Sequence, residues 1–377
     1  SMLPSDIFAE EHVENTKSSH NNMPETDDSK TLEIAGIDEA EIGKDGEVLS
    51  ERTANSKLFY EGEGVFTQEV YPDPIHIKES PDAEWEDISP ELKATSKKEI
   101  ETENARLDST FQKQMKKGLY ATFEHKKHQI EFSILKASGT NKSEIRSKDT
   151  SAQFKENTNE LTYEEVFPHI DLRSFTFNEN IKEDIVLKRY DGYNSFIFKI
   201  KTDLTGEIEE DGSIRFFDQK KQTIFQVPKP FMTDSNLDEK SGEVARSEDV
   251  SFELQKEDDG YLLRVTADEK WLKHPERVYP VSIDPSTSLS VSSDTFIMSA
   301  YPTTNYSTST QKWDANLKSY VLKTGYYDKT TGTNYAFMKF NSFKPIQNMN
   351  VTKATLKTYV AHSYYGTKAT GLWLDTV

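Results

Sequence analysis

Two-residue alternation is the feature that most constrains this chain. In Ser195-Phe196-Ile197-Phe198-Lys199-Ile200-Lys201, the apolar residues Phe196, Phe198 and Ile200 fall on every second position. That period puts all three on one face of a half-buried strand. Phe252 and Leu254 repeat it before Asp258-Asp259-Gly260, and Tyr261, Leu263 and Val265 continue it afterwards, so 251–266 predicts a hairpin. Glu210-Asp211-Gly212-Ser213 marks a second turn, between strands at 195–208 and 214–227, and Val278 to Asp284 predicts a short closing strand. One stretch departs from this pattern. Ile100, Leu107, Phe111 and Met115 form a stripe of nearly helical spacing, Ser96 and Glu99 have capping-box spacing, and Gly118 stands where helices often stop. A helix is therefore predicted over 96–117, its apolar stripe serving as core packing.

The chain divides by composition into three parts. Residues 1–53 hold 14 acidic and 4 basic residues with Phe8 as their single aromatic, too little apolar surface to offset the entropy of ordering. Residues 54–286 hold 47 acidic and 33 basic residues with aromatics throughout. Residues 287–377 reverse the sign, with 4 acidic and 9 basic residues, no glutamate, and nine of the chain's 17 tyrosines. The sharpest break lies near Asp284-Pro285. Beyond it, Thr333 to Phe340, Ala354 to Val360 and Gly371 to Val377 predict short strands, with turns at Thr330 to Thr333 and Tyr365 to Thr367. About five strands fit there, fewer than a two-sheet jelly roll needs. The predicted fold class is mainly β: a β-rich domain with one helix, then a partial, jelly-roll-like β-sandwich, all preceded by a disordered leader. At the extreme N-terminus, Met2 to Ala9 resembles the end of a secretory signal cut after Ala9; a plain mature terminus behind a Ser1-Met2 cloning remnant is the alternative.

Several kinds of function are excluded or left without support. The chain has no cysteine, so it can build neither a disulfide framework nor a thiolate metal site. No apolar run approaches the roughly 18 residues of a membrane span. The net charge of −19 disfavours nucleic-acid binding by this segment. Of eight histidines, His125 and His128 form the one close pair, and three residues apart in a strand they point to opposite faces. No metal or cofactor is expected. Glu209-Glu210-Asp211 and Glu257-Asp258-Asp259 sit at hairpin tips, where carboxylates are ordinarily solvated. No calcium loop, nucleophile elbow, zinc-binding helix or phosphate loop occurs, and no catalytic residue is assigned.

The C-terminal aromatics remain. Tyr301, Tyr306, Trp313, Tyr326, Tyr327, Tyr364 and Tyr365, with Tyr335 and Trp373 beside them, lie among Ser, Thr, Asn and Lys. Aromatic rings stack on the apolar faces of sugars while polar neighbours take the hydroxyls, and uncompensated lysines favour an anionic polymer. The first seven are the candidate carbohydrate-binding residues. Exposed, coplanar rings on this sheet would favour binding; buried ones would make the region a scaffold.

Specific segments also carry a family resemblance. Ser293 to Ile297 and Tyr301 to Tyr306 resemble the opening of the DNRLRE module, a β-sandwich of secreted proteins related in form to carbohydrate-binding modules. Tyr335 to Phe340 and Ala354 to Lys357 are similar to its next strands, and Trp271 to Pro285 resembles the junction before it. Phe167 to Leu172, Lys182 to Leu187 and Pro228 to Asp234 fit the same upstream β-domain. Over residues 45–377 the chain resembles the N-terminal part of large secreted wall-associated proteins with YD (RHS) repeats and a C-terminal toxin acting on tRNA. The resemblance implies a signal-peptide remnant at 1–9, an acidic linker at 10–57, a β-rich domain at 58–285 and an incomplete module at 286–377. It implies a secreted, extracellular, wall-associated segment without catalysis of its own. Its partners would be cell-wall polysaccharide or teichoic acid and the remainder of the RHS toxin. The alternative is a structural cap of the RHS shell with no ligand. The module's later strands, the repeats and the nuclease have no counterpart here, so no nuclease residue is carried over.

Overall fold

The computed structural model describes residues 32–33, 35–237, 244–289, 294–302, 306, 312–314, 317–326, 332–340 and 350–358. The expected strands dominate. Sheet one has nine strands, all antiparallel. From one edge these are Val250–Glu257, Gly260–Ala267, Ser195–Lys201, His128–Gly139, Leu119–His125, Asp108–Lys116, Glu99–Asn104 and Ser89–Lys93, with Lys142–Arg146 beside His128–Gly139. Sheet two has eleven strands. Its central strand, Asn180–Leu187, lies between Ile170–Thr176 on one side and both Val281–Asp284 and Thr287–Ser288 on the other.

The two sheets share one core. Tyr120 of sheet one meets Tyr163 of sheet two edge-on at 6.1 Å, and Phe167 meets Phe196 at 6.1 Å. Phe196, Phe198 and Ile200 are buried on the core face, as the alternation requires. The 258–259 turn joins its hairpin with Glu257 opposite Gly260. The strands expected at 195–208 and 214–227 each break in two: Ser195–Lys201 belongs to sheet one and Thr205–Ile208 to sheet two, while Ile214–Phe217 and Thr223–Val227 fold back on each other as a hairpin of sheet two.

The helix expected over 96–117 is two strands. Ile100 lies directly opposite Phe111 in the ladder between Glu99–Asn104 and Asp108–Lys116. Ile100, Leu107, Phe111 and Met115 are all buried, so the stripe is core as expected, but the period is wrong. A spacing of four is a multiple of two as well as close to one helical turn, and it fits either structure. The capping signal folds a tight turn instead, with Ser96 Oγ accepting from the Lys98 and Glu99 amides at 3.1 and 3.0 Å. Gly118, at φ +82°, turns the chain between Asp108–Lys116 and Leu119–His125. Among the described residues of the domain the α-helix is a single turn, Glu269–Leu272, capped by Asp268 accepting from the Trp271 amide at 3.0 Å. His125 and His128 end and begin neighbouring strands and face each other across a two-residue turn, not opposite sides of one strand.

The boundaries also move. Part of the leader expected to stay unfolded as far as 57 is structured: Leu32, Ile37, Val48 and Leu58 make a small core under the hairpin Ser56–Gly62/Val65–Val70. Few apolar residues suffice because Glu47 and Arg52 close the site with two hydrogen bonds of 2.8 and 2.7 Å. The rest of the leader and residues 1–9 lie outside the described residues. At the other end, Thr287–Ser288 is still a strand of sheet two, so the β-domain runs past 285. Beyond it, Asp294–Met298, Thr333–Met338 and Gly325–Tyr326 form a three-stranded sheet. The strand expected from 354 is not formed over 350–358, where Val351 and Leu356 are exposed; the strand at 371–377 lies outside the described residues.

Candidate functional site

The three-stranded sheet has two unlike faces, set by its register. Phe296 lies opposite Ala336 on the inner face, where it is buried and stacks on Tyr306 with centroids 4.5 Å apart and planes 26° apart. On the outer face Ile297 lies opposite Tyr335, Thr295 opposite Phe337, and Tyr326 opposite Thr333. Cross-strand neighbours on one face are roughly 5 Å apart at Cβ, so Ile297, Tyr326, Tyr335 and Phe337 form one continuous patch. All four are open to solvent, Tyr326 at 62% and Tyr335 at 57%. Four large apolar side chains stand exposed on one side of this small sheet.

The candidate residues divide. Tyr326 lies on this outer face. Tyr301, also exposed, follows the first strand, its amide donating to the Met298 carbonyl at 3.0 Å. Tyr306 is inside, under Phe296. Trp313 sits against sheet two, 5.4 Å from Phe175, 6.2 Å from Phe177 and 5.3 Å from Tyr320. The Tyr320 hydroxyl donates to Asn180 Oδ1 at 2.7 Å, and Lys318 reaches Glu160 at 2.8 Å. These contacts anchor the C-terminal region to the β-domain. Tyr327, Tyr364 and Tyr365 lie outside the described residues. Tyr335 and Phe337 complete the patch; their alternation with Ala336 and Met338 was the available signal.

Acids at the two hairpin tips make local structural contacts. Glu209 accepts from Arg215 at 2.7 Å, Asp211 holds the Ser213 amide at 2.9 Å, and Asp259 pairs with Lys199 at 3.0 Å. On the outer face of sheet one Glu99, Glu101, Asp108 and Glu124 line a shallow groove, where burial and the neighbouring acids push Asp108 up. That face would repel an anionic polymer. Among the described residues no three acidic or histidine side chains converge as a metal site, and no helix is long and apolar enough to cross a membrane.

The chain belongs to the wall-associated protein family. It is 43% identical over 205 residues to a "Wall-associated protein" of Geobacillus stearothermophilus, covering 80% of that protein and 54% of this chain. Over its whole length it is 67% identical to the tRNA3(Ser)-specific nuclease WapA of Bacillus spizizenii and 66% identical to the tRNA nuclease WapA of Bacillus subtilis. The chain spans only 16% of the length of these two relatives, at their N-terminal end. No family model and no solved structure matches the chain.

Proposed function

We propose that this segment is the wall-contacting part of a secreted protein, and that the outer face of the three-stranded sheet binds cell-wall polysaccharide or teichoic acid. The observation that carries this is the common exposure of Tyr326, Tyr335, Phe337 and Ile297 on one face. Exposed rings stack on sugars without strand rearrangement, and the region's excess of nine basic over four acidic residues suits a phosphate-bearing polymer. The carbohydrate-binding-like character expected of 286–377 is assigned to this face. The segment does no chemistry of its own; the nuclease activity in the relatives' names would belong to a part of the whole protein beyond it. In that whole protein the segment would hold the toxin at the wall.

The test is sedimentation of the chain with purified Gram-positive cell walls. Tyr326→Ala and Tyr335→Ala should each weaken binding on the order of tenfold, about 1.4 kcal/mol, while leaving the unfolding transition in place. Binding that falls with salt identifies teichoic acid; salt-independent binding identifies polysaccharide. Undiminished sedimentation of the double variant would overturn the assignment and leave the structural-cap role.

A further inference from the structure

Lys182 is a lysine with no route to water. Its side chain is 1% exposed, on the face of the central strand turned away from the main core, and its Nζ lies under the rings of Trp313 at 5.3 Å and Phe231 at 5.5 Å. Nζ pairs with Asp184 on the same strand and stands 3.0 Å from Asp284 Oδ2 on the neighbouring strand. Both acids are as deeply buried as the lysine.

The two carboxyl groups are held differently. Asp184 Oδ2 accepts from Arg173 at 2.9 Å. Burial pushes Asp184 up, but Lys182 and Arg173 outweigh it and hold the group below the ordinary carboxylate range, as an anion. Burial pushes Asp284 up, against the pull of Lys182 and with the charge of Asp184 adding to the rise, which favours the acid form. Asp284 Oδ1 accepts from the Ser286 amide at 2.7 Å and from the Ser286 hydroxyl, whereas Oδ2 makes no hydrogen bond and faces the lysine. One oxygen is thus polarised by two donors, the other is free to leave, and an amine waits beside them.

We infer that Lys182 and Asp284 condense into an intramolecular amide that ties two neighbouring strands of sheet two covalently. The Lys182 ammonium passes a proton to the Asp184 carboxylate, leaving a neutral amine in a water-poor site where a desolvated lysine is a good nucleophile. Nζ attacks Cγ of the protonated Asp284, the C–N bond forms, and the negative charge gathers on Oδ1, facing the two Ser286 donors. Asp184 gives its proton to Oδ2, the C–O bond breaks, and water leaves. The second amine proton passes to Asp184, so the products are a neutral amide, one water and protonated Asp184. No oxidant, cofactor or second protein is required. Holding the two groups in contact supplies the proximity that a reaction between free amine and acid lacks. The product also replaces a buried ion pair, whose desolvation is costly, with a neutral group.

Intact mass spectrometry of the denatured chain tests this. The expected mass is lower than the sequence requires by one water, and a protease digest should yield a branched peptide joining Lys182 to Asp284. Lys182→Arg should restore the full mass, and Asp184→Ala should leave most of the chain unlinked. A folded wild-type chain of full mass, or a digest placing the link on Asp184, would overturn the inference. Both readouts come from the wild-type protein, so they stand even where a variant fails to fold.

Discussion

Lys182 Nζ and Asp284 Oδ2 stand 3.0 Å apart, each side chain 1% exposed, on adjacent strands of sheet two. The strands are held in register by Ile185 opposite Ile283. The charges lie on the face turned away from the main core, where alternation alone would leave them solvated. They are buried because Trp313 and Phe231 close over them. Sheet two is therefore covered on both sides along its central strand.

Removing only the cation should be severe. Lys182→Met removes both the amine of the link and the cation beside two buried carboxyl groups, and should cost about 3–5 kcal/mol of stability or more, measured by urea unfolding. Adding Asp284→Leu to the same chain removes the buried carboxyl group left without a partner and should recover a large part of that loss.

Glu183, next along the strand, points the other way into the core, where the Tyr120 hydroxyl donates to it at 2.8 Å. Burial pushes its carboxyl from an ordinary 4.5 to about 8, against the Tyr120 hydrogen bond and with the charge of Asp284 adding to the rise. Between those values the folded chain keeps a proton that the unfolded chain has lost, so stability falls as pH rises through this window. The total is on the order of 5 kcal/mol. Glu183→Gln should flatten most of the slope in unfolding curves between pH 5 and about 8.

Gly118 distinguishes the turn found here from a helix end. A β-carbon added there would lie 2.1 Å from the Ile134 carbonyl oxygen, at a φ of +82°. Gly118→Ala should therefore cost about 3 kcal/mol or more, whereas the same change inside a helix would stabilise by about 1 kcal/mol. Thermal unfolding of the single variant decides it.

Trp313 should act as a clasp. Trp313→Ala removes its contacts with Phe175, Phe177 and Tyr320 and uncovers Lys182. The expected cost is about 2 kcal/mol, because the ring is only half-buried. Hydrogen exchange should quicken at Ser319–Tyr320 and along Asn180–Leu187, while sheet one keeps its protection.

Much of the fold was legible because strands announce themselves locally. Phe196, Phe198 and Ile200 needed only a two-residue period, and the 251–266 hairpin only that period and an Asp-Asp-Gly turn. The stripe through Ile100, Leu107, Phe111 and Met115 misled because its spacing suits a helix and a strand pair alike, and only the cross-strand contact of Ile100 with Phe111 separates them. The candidate site was half legible. An aromatic, basic C-terminal region could be read directly, but not which rings turn outward, since Tyr306 and Tyr326 look alike in sequence and differ in what packs on them.

By itself, then, the sequence determined the mainly β character, the positions of the central hairpins, the change of charge beyond residue 284 and the family resemblance. All of these are properties of neighbouring residues. Tertiary structure alone decided that Lys182, Asp184 and Asp284 meet out of reach of water, and that Tyr326 and Tyr335 share an open face while Trp313 does not. Burial and cross-strand register depend on residues far apart in the chain, and no local period encodes which distant side chain will arrive to cover a charge or a ring.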